Sequence, residues 1–332
     1  MKFGFHPLTD FFSPKKVLEE TVAAERHGFT EIFYADHFHP WSSSPGTSFA
    51  WTVIASAAER TQKARIGTAV TCPMLRYNPA IVAQAFASLA STYEGRIFLG
   101  VGTGEALNEV PVGYNWPKGK TRLEMFEESI KVIRMLWNQE FVTFKGEHYQ
   151  LKEANLFTKP LQRIPLYVSA LGPKAARIAG RLGEGLITLN LPEERIRQTV
   201  LPAFEEGIQI RGREHGLGLD SSSKPIKIAE IIVSYAEDYE EAVESLRPFA
   251  GTLTPGVFKN ELIDPREIKA AGEKIDKKII GEAMLATTDV ERIVPVIEKF
   301  DRLSFDLVEI VSLSPDQEGF LRLFEEKIMP SF

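Results

Sequence analysis

Several residue types that define common protein classes are scarce or missing in this chain. Its 332 residues include one cysteine, Cys72, so no internal disulfide framework can form, and a lone thiol suits a reducing compartment. A single cysteine of this kind ordinarily acts as a small packing residue. No uncharged apolar run approaches the roughly 18 residues that a membrane span needs, and the opening Met1-Lys2-Phe3-Gly4-Phe5-His6 lacks the apolar core of a signal peptide. A cytoplasmic protein with no membrane partner is expected. There is no long Lys/Arg run, and the net charge is -6, which removes the electrostatic footprint of a nucleic-acid binder. Small molecules are the expected partners. Internal repeats, low-complexity tracts and Pro-rich linkers are also missing, so residues 1–332 read as a single domain with 44% hydrophobic content, enough for a sizeable core.

What the chain does have is alternation. Short β-branched or aromatic runs at about 2–6, 31–36, 65–71, 97–103, 165–170, 185–190, 227–235 and 306–312 are separated by amphipathic stretches. This is the pattern of parallel strands joined by crossover helices, and eight such units predict an α/β fold of the closed (β/α)8 barrel type. The first helix is punctuated by Ser13 as N-cap, Pro14 at its first position and Gly28 past its end. From Thr121 to Asn138, Leu123, Phe126, Ile130, Ile133 and Trp137 recur at spacings of three and four, an apolar stripe for the barrel's outside. Two insertions interrupt the rhythm. Residues 105–160 include a predicted hairpin, with 141–144 and 148–151 as strands and 145–147 as the turn. Residues 237–290 are charged and helical, with Thr252 to Gly256 as a loop. Ser42 to Ser48 reads as a plain surface loop.

In a barrel of this kind the C-terminal strand ends carry the chemistry. Here they hold His6, then Asp36-His37-Phe38-His39-Pro40-Trp41, then Thr71-Cys72-Pro73, then Thr103-Gly104-Glu105 with Asn108, then Ser169. Taken singly, a strand-end Ser or Thr is as readily a helix cap as a ligand contact; their coincidence on one rim is informative. The run Gly100-Val101-Gly102-Thr103-Gly104-Glu105 does not complete a dinucleotide fingerprint, because the third required glycine falls on Glu105 or Leu107. It reads instead as a strand end of little bulk where a flat ring could approach the backbone. His37-x-His39 with His6 raises a metal site, but the remaining histidines, His27, His148 and His215, lie away from strand ends. Proton transfer by His37, opposed by Glu105, is the better fit, and no metal is expected. Trp41 either walls a pocket or donates its indole N–H to a substrate oxygen.

Three motifs carry a family resemblance: Asp36 to Trp41 (DHFHPW), Arg76 to Gln84 (RYNPAIVAQ) and Gly102 to Glu109 (GTGEALNE). The chain resembles the luciferase-like oxidoreductases that use the deazaflavin coenzyme F420, in the group of glucose-6-phosphate dehydrogenase and secondary alcohol dehydrogenase. The resemblance spans nearly the whole chain and is weakest at 237–282. It implies ring contacts at Asp36, Cys72, Thr103, Gly104 and Asn108, a non-proline cis peptide behind the ring at Ala69–Val70, and an acidic residue near it at Asp10. It places the coenzyme's phosphate near Ala170, Leu171 and Gly172, ahead of a helix start at Pro173. By the family mechanism His37 accepts the hydroxyl proton as hydride leaves for the ring, Glu105 supplies a proton to the reduced ring, and Trp41 holds the reacting oxygen. A homodimer is implied as well.

The resemblance weakens where the sugar-phosphate branch grips its phosphate. The positions that are Thr and Lys after strand six, Lys in the late insertion and Arg before the last helix become Leu189, Pro192, Lys259 and Glu282. Only Lys259 keeps its charge, as a candidate substrate contact, and charge-assisted contacts dominate phosphate recognition. Thr71-Cys72-Pro73 and Asn108-Glu109-Val110-Pro111-Val112 look instead like the alcohol dehydrogenase branch. A small secondary alcohol or its ketone is therefore the expected substrate. A sugar-phosphate dehydrogenase and an FMN-dependent luciferase-like monooxygenase remain as alternatives.

Overall fold

The computed structural model describes residues 1–42, 46–211, 217–219, 224–258 and 262–332. Every expected strand forms: β1 (Lys2–Phe5), β2 (Glu31–Tyr34), β3 (Arg65–Thr68), β4 (Ile97–Val101), β7 (Leu166–Ser169), β8 (Gly185–Leu189), β9 (Ile226–Tyr235) and β11 (Leu307–Ser312), with β5 (Val142–Lys145) and β6 (Gln150–Ala154) between the fourth and fifth and a two-residue β10 (Ala286–Thr287) beside β9. Each of the eight is hydrogen-bonded to two others in the cyclic order β1-β2-β3-β4-β7-β8-β9-β11, which is the expected (β/α)8 barrel. The chain divides into two compact units. The first comprises Met1–Ile66, Glu105–Pro111 and Ile228–Phe332; the second comprises Gly67–Gly104 and Val112–Lys227. Two of the boundaries run through strands, β3 and β9, and not through linkers. Among the described residues no helix is long and apolar enough to cross a membrane.

In the first unit the opening helix runs Pro14–Arg26, with the Ser13 hydroxyl accepting from the Lys16 N–H and Gly28 past its end at φ +83°, a conformation that glycine adopts without a Cβ clash. The late insertion forms helices Tyr239–Leu246, Pro265–Gly272 and Lys277–Ala283. The first and third of these supply Ala242, Val243, Leu246 and Ile280 to a buried cluster with Leu8, Phe249 and Val311, against which Trp41 packs. The expected loop at Thr252 to Gly256 is not a loop. A 3-10 helix (Arg247–Leu253) ends there and a short helical turn (Pro255–Phe258) begins, because Pro248 and Pro255 preset helical φ at the first positions.

In the second unit, helix Pro79–Thr92 is capped by the Asn78 side chain, which accepts from the Ala80 N–H at 2.9 Å. The long helix runs Gly119–Asn138, two residues ahead of the expected start; Phe126, Ile130, Ile133 and Trp137 are buried and Leu123 is half-buried. The hairpin pairs β5 with β6, but its turn lies later than expected. Glu128, on the long helix, accepts the N–H groups of Glu147, His148 and Tyr149 at 2.8, 2.9 and 3.2 Å. That carboxylate draws 148 and 149 out of the expected second strand and into the turn. Ser43 to Pro45, in the expected surface loop, lie outside the described residues.

Candidate active site

The first unit assembles the acid–base residues. At the end of β2 the Ala35 peptide is held from both sides: the Thr9 hydroxyl donates to its carbonyl at 2.7 Å, and its N–H donates to His6 Nε2 at 3.1 Å. The chain then leaves the strand through Asp36, which is buried, and His37. His37 Nδ1 lies 3.0 Å from the His39 carbonyl oxygen. A carbonyl can only accept, so Nδ1 carries the proton, and Nε2 of the neutral ring is the free base. Nε2 stands 3.6 Å from Glu105 Oε2, and Asp10 Oδ2 lies 4.0 Å from Nδ1. The Trp41 ring lies 5.2 Å from the imidazole, tilted by 59°.

Asn108 braces this arrangement. Its Oδ1 accepts the N–H groups of Phe38 and His39 at 2.8 and 3.2 Å, while Nδ2 donates to Glu105 Oε2 at 3.1 Å. Glu105 precedes the short helix Ala106–Glu109 without capping it through its side chain, so its carboxylate is directed to Asn108 and His37. A base and a carboxylate are thus fixed side by side, with one oxygen of that carboxylate set by an amide. Asn108, expected at a ring, has its carbonyl and one amide hydrogen engaged within the turn. His39, read from sequence as structural, contributes through its backbone. Its ring borders a cleft of about 490 Å³ with Val110, Pro111, Ile263, Asp264 and Arg266. Burial lowers the His39 pKa against the opposing charge of Asp264.

The second unit holds the remaining expected residues. The Ala69–Val70 peptide bond is cis. Thr71 N–H donates to the Gly100 carbonyl at 2.9 Å, and Gly102 N–H to the Thr71 carbonyl at 3.0 Å. The glycines at the end of β4 make room for a neighbouring segment. A Cβ at Gly100 would stand 1.9 Å from the Thr68 oxygen, at Gly102 2.5 Å from Val70 Cγ2, and at Gly104 2.4 Å from Cys72 Sγ. They let residues 68–72 pack directly on the strand, and they leave Cys72 buried beneath Gly104 with Thr103 half-buried beside it. Ala170, Leu171 and Gly172 lead from β7 into helix Pro173–Leu182, which has no side-chain cap and no acidic residue in its first turn. A Cβ on Gly172 would meet nothing within 4 Å. Arg195 Nη2 donates to the Leu171 carbonyl at 2.8 Å. This guanidinium was not anticipated, because no motif links it to a segment 24 residues earlier.

Among the substrate positions, Leu189 ends β8, Pro192 precedes a short helix (Glu193–Arg195), and Glu282 is exposed beside Lys278. Lys259 lies outside the described residues. The structure also sets two unanticipated carboxylates, Glu230 and Glu309, close to His6.

A family model described as luciferase-like monooxygenase matches residues 1–305. The F420-dependent glucose-6-phosphate dehydrogenase of Segniliparus rotundus is 38% identical over 335 residues, 99% of this chain and 97% of that protein. The enzyme of the same description from Mycobacterium avium is 38% identical over 338 residues, again 99% and 97%. Among solved structures, an F420-dependent secondary alcohol dehydrogenase in complex with an F420-acetone adduct matches with a TM-score of 0.91 at 37% identity, covering 99% of this chain and 98% of that one. A coenzyme F420-dependent tetrahydromethanopterin reductase from Methanopyrus kandleri, at 21% identity and a TM-score of 0.79 over 100% of this chain and 99% of that one, shares the fold.

Proposed function

The chain belongs to the luciferase-like family, and on that premise we propose that it is an F420-dependent dehydrogenase moving a hydride between the hydroxyl-bearing carbon of a small secondary alcohol, or its ketone, and the deazaflavin. The observation that carries this reading is the geometry of His37: Nδ1 pinned to the His39 carbonyl at 3.0 Å, leaving Nε2 as the base, 3.6 Å from a carboxylate. A dehydrogenase acting on a CH–OH group needs a base for the hydroxyl proton and a second group for the proton of the reduced cofactor.

The residues present fit the coenzyme on two counts. The uncapped start of helix Pro173–Leu182, with Gly172 open and the Arg195 guanidinium at Leu171, suits an anionic tail. Cys72, on the segment after the Ala69–Val70 peptide, and Thr103 and Gly104, after β4, are the contacts this reading assigns to the ring within the second unit. Bound F420 would supply the hydride acceptor in one direction and the donor in the other. His37 Nε2 takes the hydroxyl proton, with Asp10 Oδ2 facing the ring 4.0 Å from Nδ1. Glu105 holds the second proton, and Asn108 keeps its carboxylate in register with His37. Trp41, packed against the late insertion, directs its indole N–H to the reacting oxygen.

A neutral substrate is supported by Leu189 and Pro192, apolar side chains where the sugar-phosphate branch carries a threonine and a lysine, and by the exposed carboxylate of Glu282. The 38% identity to glucose-6-phosphate dehydrogenases favours the second reading, a sugar-phosphate substrate met by cations such as Lys259. In either case the protein would work as a cytoplasmic homodimer. Titration with oxidised F420 and separately with FMN, followed by isopropanol or glucose 6-phosphate, tests all three readings. Loss of the oxidised deazaflavin's visible absorbance on adding isopropanol is expected. Binding of FMN without F420 would overturn the assignment in favour of a monooxygenase.

A further inference from the structure

The sheet register forces an unusual grouping. Glu309 on β11 is the direct neighbour of Glu230 on β9, and on its other side it is paired with Gly4 of β1. His6 follows Gly4 by two residues, so by the period of a strand its side chain emerges on the same face. One donor atom from each of His6, Glu230 and Glu309 lies within 4.8 Å of the others. Glu309 is fully buried, His6 is nearly so, and Glu230 is half-buried. Two carboxylates set side by side in a barrel interior repel each other unless a proton or a cation joins them.

Hydrogen bonding decides between the two. The Ala35 N–H points at His6 Nε2 across 3.1 Å, and an N–H can only donate. His6 Nε2 is therefore unprotonated, and the ring's one hydrogen sits on Nδ1, 2.7 Å from Glu309 Oε1. With that hydrogen in place Nδ1 has no lone pair for a metal, so His6 could ligate a cation only by breaking one of the two bonds. A proton held on the carboxylate pair relieves the repulsion without disturbing either bond of His6. Burial and, next, the Glu309 charge push Glu230 up to about 8, and burial raises Glu309 well above the carboxylate range. Burial likewise holds His6 below its ordinary value, against Glu230 and Asp10. Imidazolium, which would have no acceptor for Ala35, is disfavoured.

We infer that Glu309 and His6 are positioning residues for the catalytic turn: Glu309 fixes His6 as the Nδ1–H tautomer, and His6 Nε2 thereby anchors the Ala35 N–H immediately ahead of Asp36 and His37. The function of this pair rests on the reading of His37 as the base; its structure does not. With Thr9 on the Ala35 carbonyl, both polar groups of that residue are tied to the segment after β1. Side chains that orient the groups doing chemistry typically matter by about ten- to a hundredfold.

The test has a readout that needs neither coenzyme nor substrate. Nitrogen-15 NMR of the imidazole rings should show His6 with a protonated Nδ1 and an unprotonated Nε2. Glu309→Gln, whose amide oxygen still accepts from Nδ1–H, should keep that tautomer and kcat within about threefold. Glu309→Leu should let the proton move to Nε2 and lower kcat by about tenfold or more, with KM changed less than about twofold. If Glu309→Leu does not fold, His6→Gln replaces it: its oxygen can accept from Ala35 and its amide can donate to Glu309, so it should retain more kcat than His6→Leu. An Nε2–H or doubly protonated His6 in the unmodified protein would overturn the inference. So would a bound divalent metal whose chelation changes the His6 signals, or a folded Glu309→Leu variant with unchanged kcat. Failure of F420 to bind would overturn the proposed function and leave the tautomer result standing.

Discussion

His37 donates its Nδ1–H to the carbonyl oxygen of His39, two residues further along and 3.0 Å away. The second histidine of the motif thus orients the first through its backbone and leaves Nε2 as the nitrogen with the lone pair. Replacing His37 with Ala should lower kcat by about a hundred- to ten-thousandfold, the range for loss of a positioned acid–base group, with F420 affinity nearly unchanged. His39→Ala keeps the carbonyl and should retain most of the turnover. Steady-state rates with parallel coenzyme titrations check both, and full activity in His37→Ala would refute the proton-transfer role.

Asn108→Asp separates the two ends of the bracing amide. It keeps an oxygen for the Phe38 and His39 N–H groups but sets a carboxylate against Glu105 Oε2, where the amide now donates at 3.1 Å. Like charges disfavour the ionised form, so the Glu105 pKa should rise and the limb of the pH–rate profile that reports it should move to higher pH. Asn108→Ala should instead leave two N–H groups without their acceptor and cost about 1–3 kcal/mol of stability. A pH–rate profile and a denaturant titration distinguish the two variants.

Arg195→Ala should weaken F420 binding by about three- to tenfold at low salt, the modest range for an exposed charge, and leave kcat at saturating coenzyme unaltered. A Kd measured at two ionic strengths is the check, and no change in affinity would remove Arg195 from the coenzyme's anionic end.

Glu20 predicts a pH dependence of stability. Burial raises its pKa to about 7, against the pull of Lys16. Between about 4.5 and about 7 the folded state holds a proton that the unfolded chain has released, so stability falls as pH rises through that window. At one pKa unit per 1.36 kcal/mol, the effect of this group reaches about 3 kcal/mol at pH 8. Glu230 and Glu309, also raised, add to the fall in the same direction. Glu20→Gln should flatten part of the slope and raise Tm more at pH 8 than at pH 5, which thermal denaturation at the two values measures.

Arg134, although buried, donates to the Leu182 carbonyl at 2.7 Å and to Glu184 Oε2 at 2.5 Å. Burial pushes the Glu184 carboxyl up, but Arg134 and Arg163 more than offset it and hold the group below its ordinary value. Arg134→Met should destabilise the protein by about 1–3 kcal/mol, because the buried Leu182 carbonyl loses its donor while Glu184 keeps Arg163. Adding Glu184→Met should deepen the loss, because it also takes the acceptor from Arg163 and the Leu166 N–H. Equilibrium unfolding of the single and double variants provides the comparison.

The eight strands and the helix stripe could be read in advance because each is a local pattern: β-branched and aromatic runs in one case, apolar residues at three and four in the other. The cluster at the end of β2 was also legible, since Asp36, His37 and Trp41 fall within six consecutive residues, and the structure sets Glu105 beside His37. What misled the reading was contact between distant segments. The hairpin turn moved because Glu128, on a helix, captures its N–H groups. Nor does any local rule reveal that Thr68, Val70 and Cys72 pack against Gly100, Gly102 and Gly104.

Sequence by itself determined the element order, the barrel class and which histidine and carboxylate to examine as an acid–base pair, because periodicity and chain proximity are local properties. Tertiary structure alone decided which nitrogen of His37 is free, which tautomer His6 adopts and that Glu230 and Glu309 stand side by side. In β9 and β11 those two glutamates are the one acidic residue of each strand, with nothing local to say which way they point or whom they meet. Strand register supplies that information, since a shift of one residue would turn each of them to the opposite face. Hydrogen bonds from backbone atoms, which carry no residue identity, then fix the protons.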